Sequence, residues 1–231
     1  MGYSIDLNQI SSPRYMEILK KQNLLPGRKI LLENLEENFH RMAATGIHNL
    51  AELKNNMSSA GRLSAFAVKT GIPENYLTIL KRELGSLEQK PVPVIDFSGI
   101  SANTVSILQN KRIRTSKEVY DFTVGPNNIS IASREMGIEA GELQELSSLC
   151  DLVRINGVGA IAARTLYEGG YKSVTEIAYA KAAELLESMN AVNADKQYYK
   201  AKLGEKDMQF IIDAANIILE TERNNESVSG G

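Results

Sequence analysis

The chain repeats itself, and that restricts its fold more than any single motif does. Shifted by 58 positions, the segment Ile95–Val119 lies on Val153–Ile177 without a gap. Ile95 meets Val153, Phe97 meets Ile155, Gly99 meets Gly157, Ile100 meets Val158, Ala102 meets Ala160, Leu108 meets Leu166 and Glu118 meets Glu176. A second offset, 66 positions, sets "TGIPENYLTIL" (Thr70–Leu80) on "MGIEAGELQEL" (Met136–Leu146) and "GIHNLAEL" (Gly46–Leu53) on "RIRTSKEV" (Arg112–Val119). Apolar positions keep their class across both shifts. The chain therefore reads as three copies of one helical unit of roughly sixty residues, the first worn and the third altered towards its end.

Helix-start chemistry recurs in the same register. Asn49-x-x-Glu52, Thr115-x-x-Glu118 and Ser173-x-x-Glu176 each fit a capping box. In that device a short oxygen-bearing side chain accepts from the third helical N–H, and the glutamate reaches back to the cap. Ser12-Pro13 and Pro73 suit first turns. Helical spacing predicts helices near 13–22, 28–44, 50–56, 60–69, 73–84, 101–110, 116–122, 127–135, 139–149, 160–169, 174–178, 181–188 and 205–220. Aromatic residues make up 6% of the chain and tryptophan is absent, so the core rests on Leu, Ile, Val, Met and Ala, a balance that favours helices over a sandwich or barrel.

The stretch "GSLEQKPVPV" (Gly85–Val94) is a linker, because two prolines one residue apart cannot sit inside a helix. The expected organisation is an N-terminal helical lobe over 1–88, two repeats over 89–222, and a polar tail over 223–231 without structure. At 231 residues the chain is long enough for two such lobes, each with its own core. A net charge of −2 lacks the cationic excess of a dedicated nucleic-acid binder, so any such binding needs a local patch. The single cysteine, Cys150, fits a reducing compartment. No apolar run approaches a membrane span and no signal-peptide layout opens the chain, so it is expected to be cytoplasmic and not to engage a membrane.

Gly157-Val158-Gly159 admits two readings. Gly157-x-Gly159-x-x-Ala162 matches the spacing of a dinucleotide phosphate loop, which works only after a β-strand that delivers it. What precedes it is "AGELQELSSLCDLVRI", with leucines at 143, 146, 149 and 152, a helical stripe. No acid for a ribose follows at the needed distance, since Glu176 belongs to a capping box. No cofactor is expected. The second reading is a turn between two closely approaching helices, where glycine supplies positive φ. With Leu152, Ile155, Ala163 and Leu166 around it, the stretch resembles a helix-hairpin-helix motif, and "EGGYKSVTEIAYA" resembles the common continuation of that motif.

From "YSIDLNQIS" (Tyr3–Ser11) onward the chain also resembles an uncharacterised family of paired helix-hairpin-helix proteins, a domain of unknown function. The motifs carrying this are "TGIPENYLTILKREL", "DFSGIS", "DLVRINGVG" and "KLGEKDM". The resemblance implies an all-α fold of tandem helix-hairpin-helix repeats in two helical lobes, with no established activity. In other families such hairpins bind DNA without sequence preference, through backbone N–H groups and the helix dipole. Carried over by position, the contacts would be Gly157, Val158, Gly159 and Ala160, with Gly99, Ile100, Ser101 and Ala102 in the second copy. Arg164, one turn on, would reach a neighbouring phosphate. The chain departs from the DNA-binding pattern where a Lys or Arg commonly follows the second glycine by two places: Ile161 and Asn103 stand there. Lys111, Arg112, Arg114 and Lys117 in "NKRIRTSK" form a partly compensating patch, or else a solvated helix end and loop.

His40 and His48 have no cysteine or carboxylate partners at ligand spacing, so no metal is expected. Cys150 lies in the leucine stripe as a small core residue, and Tyr198-Tyr199 near Lys200 and Lys202 reads first as packing. No nucleophile–base pair, paired carboxylates or P-loop is present, which argues against an enzyme. Two functions stay open: weak, sequence-independent binding of a DNA or RNA backbone through the hairpins, or a protein–protein scaffold in which the hairpins serve packing alone.

Overall fold

A computed structural model of the chain describes residues 2–22, 24–125 and 128–229. Among them the chain is all-helical. Its α-helices are α1 Ser12–Lys21, α2 Leu35–Ala43, α3 Leu50–Asn56, α4 Ala60–Thr70, α5 Glu74–Leu87, α6 Ala102–Asn110, α7 Ser116–Thr123, α8 Asn128–Met136, α9 Ala140–Leu152, α10 Ala160–Glu168, α11 Val174–Ala178, α12 Ala182–Lys196 and α13 Glu205–Ser229. The described residues divide after Glu88 into two compact units. Ile5–Glu88 forms one, joined by residues from Asn224 on; Gln89–Arg223 forms the other, joined by the N-terminal residues up to Ser4.

The first unit is built on apolar stripes of α1 to α5. Tyr15, Leu19, Met42, Leu50, Leu53, Leu77, Leu80 and Leu84 are all fully buried. One charged pair enters this core: Glu83, 1% exposed, accepts from the Arg28 guanidinium, which restores partners to a carboxylate that burial alone would penalise. The expected helix over 28–44 is interrupted. Pro26–Leu32 is a 3-10 helix, and α2 begins only after Asn34, which sits in the left-handed region at φ 49°. Proline at the start and asparagine at the break supply these conformations locally, which a period count over the leucines does not register.

The second unit is centred on α9, where Leu143, Leu146, Leu149, Cys150 and Leu152 are fully buried. α7, α8 and α10 pack around it, and α12 covers α10. Cys150 serves as a small core side chain, and burial pushes its thiol well above the ordinary range. Arg154, at 5% exposure, joins distant parts of this unit. Its guanidinium donates to Asp151 at 2.6 Å, to Glu222 of α13 at 2.5 Å and to the carbonyls of Gly2 and Tyr3, and lies 4.5 Å from the Tyr120 ring centroid. Tyr3 thus belongs with the second unit, although the expected N-terminal lobe began at residue 1.

The three predicted cap motifs have one geometry. Glu52, Glu118 and Glu176 donate their backbone N–H to the Asn49, Thr115 and Ser173 side chains, and their carboxylates accept from the N–H of His48, Arg114 and Lys172. Two of these caps also anchor an extended segment. Ser12 N–H donates to His48 O and Leu50 N–H to Ile10 O, and Val94 N–H donates to Arg114 O and Ser116 N–H to Val92 O.

Helices also run longer than expected at the end of the chain. α12 continues to Lys196 and stops at Gln197, at φ 53°. α13 continues through Ser229, past residue 223 where an unstructured tail was expected to begin. Once the buried stripe Met208, Ile211, Ile212, Ala215 and Ile218 has fixed the helix, each added polar residue extends it without a new nucleation cost. Asn127, expected to open the eighth helix, and Gly230–Gly231 of the tail lie outside the described residues.

Candidate functional site

The two glycine turns lie in the second unit, before α10 and before α6. α9 ends in tightening bonds, with Arg154 N–H donating to Asp151 O, Ile155 N–H to Leu152 O and Val158 N–H to Ile155 O. Gly157 then takes φ +88°, and a Cβ there would lie 3.0 Å from Phe210 Cε1 of α13. Val158 is buried beneath the turn. Gly159 caps α10 without a side chain. Among the described residues no acceptor faces the N–H groups of Ala160, Ile161 and Ala162, so these amides are open.

The second turn is closed from within. Gly99 takes φ +86°, and a Cβ there would lie 2.6 Å from Arg164 Nη2. Ser101 caps α6, its hydroxyl accepting from Thr104 N–H at 3.1 Å. Glu142 of α9 occupies the anion position: one carboxylate oxygen accepts from Ser101 N–H at 2.6 Å, the other from the Thr104 hydroxyl at 2.7 Å. Burial pushes the Glu142 carboxyl up, but the Ser101 and Thr104 bonds outweigh it and hold the group below its ordinary value. A helix N-terminus attracts one anion, and here the chain supplies its own.

Arg164 does not reach out to a ligand. It is 4% exposed, donates to Glu145 at 2.7 Å and to the carbonyl of Ser98, and lies 5.7 Å from the Tyr167 ring centroid; its Nε has no partner. The arginine expected to meet a phosphate instead ties α10 to α9 and to the Gly99 turn in this structure. A cation four residues into a helix can face either way, and here the apolar α9–α10 contact turns it inward. The side chain exposed on the first turn of α10 is instead Ile161, at 55%.

The remaining expected contacts separate in the same way. Gly157, Gly159, Ser101 and Ala102 are exposed, Ile100 and Ala160 half-buried, and Val158 buried. Lys111, Arg112 and Arg114 are exposed just past the end of α6, and among the described residues none of them forms a side-chain ion pair, although the Arg114 charge helps hold the Glu118 carboxyl below its ordinary value. Lys117, by contrast, pairs with Asp121. Tyr198 donates to Glu168 and Tyr199 to the Met189 carbonyl, so both hydroxyls are engaged within the fold.

Glu142, Glu145 and Arg154 went unremarked in the sequence. The one signal was Arg154 itself, a charge inside the apolar run "DLVRI" with Asp151 one turn before it. Among the described residues no group of three or more His, Cys, Asp or Glu could hold a metal ion, and no helix is long and apolar enough to cross a membrane.

The fold and the turns define an all-helical protein whose glycine turns are packed largely by its own side chains. Residues 98–217 match the model of a family described as "Domain of unknown function (DUF4332)", and the chain belongs to that family. No curated protein and no solved structure matches it.

Proposed function

We propose that this protein is a non-catalytic, protein–protein interaction scaffold built from tandem helix-hairpin-helix units. Its glycine hairpins are packing devices between helices. The observation that carries this reading is the Glu142 carboxylate on Ser101 N–H and the Thr104 hydroxyl, where a phosphate oxygen would sit in a nucleic-acid-binding hairpin. The inward turn of Arg164 and the exposed Ile161 act in the same direction. The three cap motifs, each followed by a short helix, support the repeat. A lone buried cysteine fits a reducing, cytoplasmic setting.

One observation favours a second reading, weak binding of a DNA or RNA backbone at the Gly157–Gly159 hairpin: the amides of Ala160 to Ala162 are open. Titration against labelled duplex and single-stranded DNA at low and at moderate salt separates the two. The scaffold reading expects a dissociation constant weaker than about 1 mM even at about 50 mM salt. A constant of ~10⁻⁴ M or tighter with a steep salt dependence would overturn it.

A further inference from the structure

Each of the three cap motifs is preceded, three residues before its cap, by a residue in the left-handed region: Gly46 at φ 90°, Arg112 at φ 63° and Gly170 at φ 95°. The backbone asks for glycine there, and two of the three positions have it. Arginine at the third is strained, and strain of this kind persists where something other than folding holds the residue in place. Among the described residues nothing repays it. The Arg112 N–H donates to Gln109 O at 2.9 Å, a bond glycine would make equally well, and the side chain is exposed without a carboxylate partner among the described residues. The dipole of α6 does not explain it either. α10 has the same length, nine residues, and is followed by Gly169-Gly170 where α6 is followed by Lys111-Arg112, with no cation in its last turn.

We propose that the Lys111–Arg114 turn is a docking site for an acidic, Asp- or Glu-rich segment of a protein partner. The inference rests on the scaffold reading above. Three exposed cations fall within four residues around half-buried Ile113, and among the described residues none forms a side-chain ion pair; Glu118 partly offsets Arg114, so Lys111 and Arg112 carry most of the positive knob on a chain of net charge −2. Such a knob complements a short acidic stretch better than a nucleic acid. The cations do not extend into a stripe, since the next one, Lys117, is paired with Asp121 and is followed directly by Glu118. The aromatic ring close in sequence, Tyr120, is buried and offers no surface for base stacking. The amide site at the other end of α6 is already filled by Glu142.

The test is fluorescence anisotropy of the full chain with a labelled oligo-glutamate peptide, and in parallel with a labelled DNA duplex, at low and high salt. The variants are Arg112→Gly, the combination of Arg112→Gly with Lys111→Gln and Arg114→Gln, and Lys200→Gln as an exposed cation elsewhere. The wild type should bind the peptide at low salt. Arg112→Gly should weaken it about threefold, the size of one exposed ion pair, and the triple variant roughly tenfold, while Lys200→Gln changes nothing. Because glycine suits φ 63°, Arg112→Gly should melt no lower than wild type, so lost affinity would not reflect unfolding. No peptide binding, equal binding by wild type and the triple variant, or an equal loss with Lys200→Gln each overturns the proposal. Absence of both peptide and duplex binding overturns it and leaves the scaffold reading in place. Duplex binding retained by the triple variant defeats the scaffold reading, and the peptide arm then judges the docking site by itself.

Discussion

If Arg164 is a tie inside the second unit, truncating it must cost stability and not affinity. Arg164→Ala removes a guanidinium that is 4% exposed and leaves two acceptors, the Glu145 carboxylate and the Ser98 carbonyl. Breaking a fully buried charged pair from one side costs about 3–5 kcal/mol. Both abandoned acceptors can be rehydrated here, since the Glu145 side chain is 28% exposed and Ser98 is exposed, so the cost falls to about 2–3 kcal/mol. For a chain of this size that lowers Tm by about 4–12 °C, read by circular dichroism at 222 nm. Arg164→Glu should cost more, because it places a second carboxylate beside Glu145. The geometry adds a coupling. Gly99→Ala drives a Cβ into Arg164 Nη2, so part of its penalty should vanish in the Arg164→Ala background, with a coupling energy of about 0.5–3 kcal/mol. The rest, from φ +86°, should persist. An Arg164→Ala protein that melts within about 1 °C of wild type, as an exposed Lys111→Ala control should, refutes the inward placement.

Other consequences can be measured with the same material. Because the folded Glu142 carboxyl is held below its ordinary value, its contribution to stability is complete above that value and is lost as pH falls through the depressed one. Denaturant midpoints taken from neutral to acid pH should therefore fall less steeply for Glu142→Gln than for wild type, and parallel curves would contradict the Ser101–Thr104 seat. Gly157→Ala should destabilise by about 1–2 kcal/mol in urea through its positive φ, with Phe210→Ala relieving only the steric part. Arg112→Gly should raise the urea midpoint, a gain of about 0.5–1 kcal/mol, and a loss would mean that Arg112 has an internal partner.

Helix positions were legible because they rest on local chemistry. The cap motifs at Asn49, Thr115 and Ser173 need only residues three apart, and the α9 stripe only a period. The break at Asn34 and the extra turns of α12 and α13 were not, since a left-handed asparagine and the extension of a tertiary-anchored helix leave no pattern in apolar spacing. The glycine turns were legible in the sequence, and the placement of the charges around them was not. A positive φ at Gly157 and Gly99 follows from the turn itself. The direction in which Arg164 points, and the arrival of Glu142 on Ser101, depend on how α9 lies against α6 and α10, contacts separated by 19 and 41 positions in sequence.

A glycine turn between two helices is required by packing before it is required by any ligand. At Gly99 the space a Cβ would fill is taken by the chain's own arginine, and the exposed amide by its own glutamate. At Gly157 the corresponding space is taken by Phe210. A G-x-G spacing therefore carries information about phosphate only together with the charges around it. At the Gly99 turn those charges are spent internally, on Glu142 and Arg164. The cations past the end of α6 stand on a backbone that would be more relaxed without Arg112. Strain retained at an exposed, charged residue is a stronger pointer to an interaction surface than the glycine motif that first draws the eye.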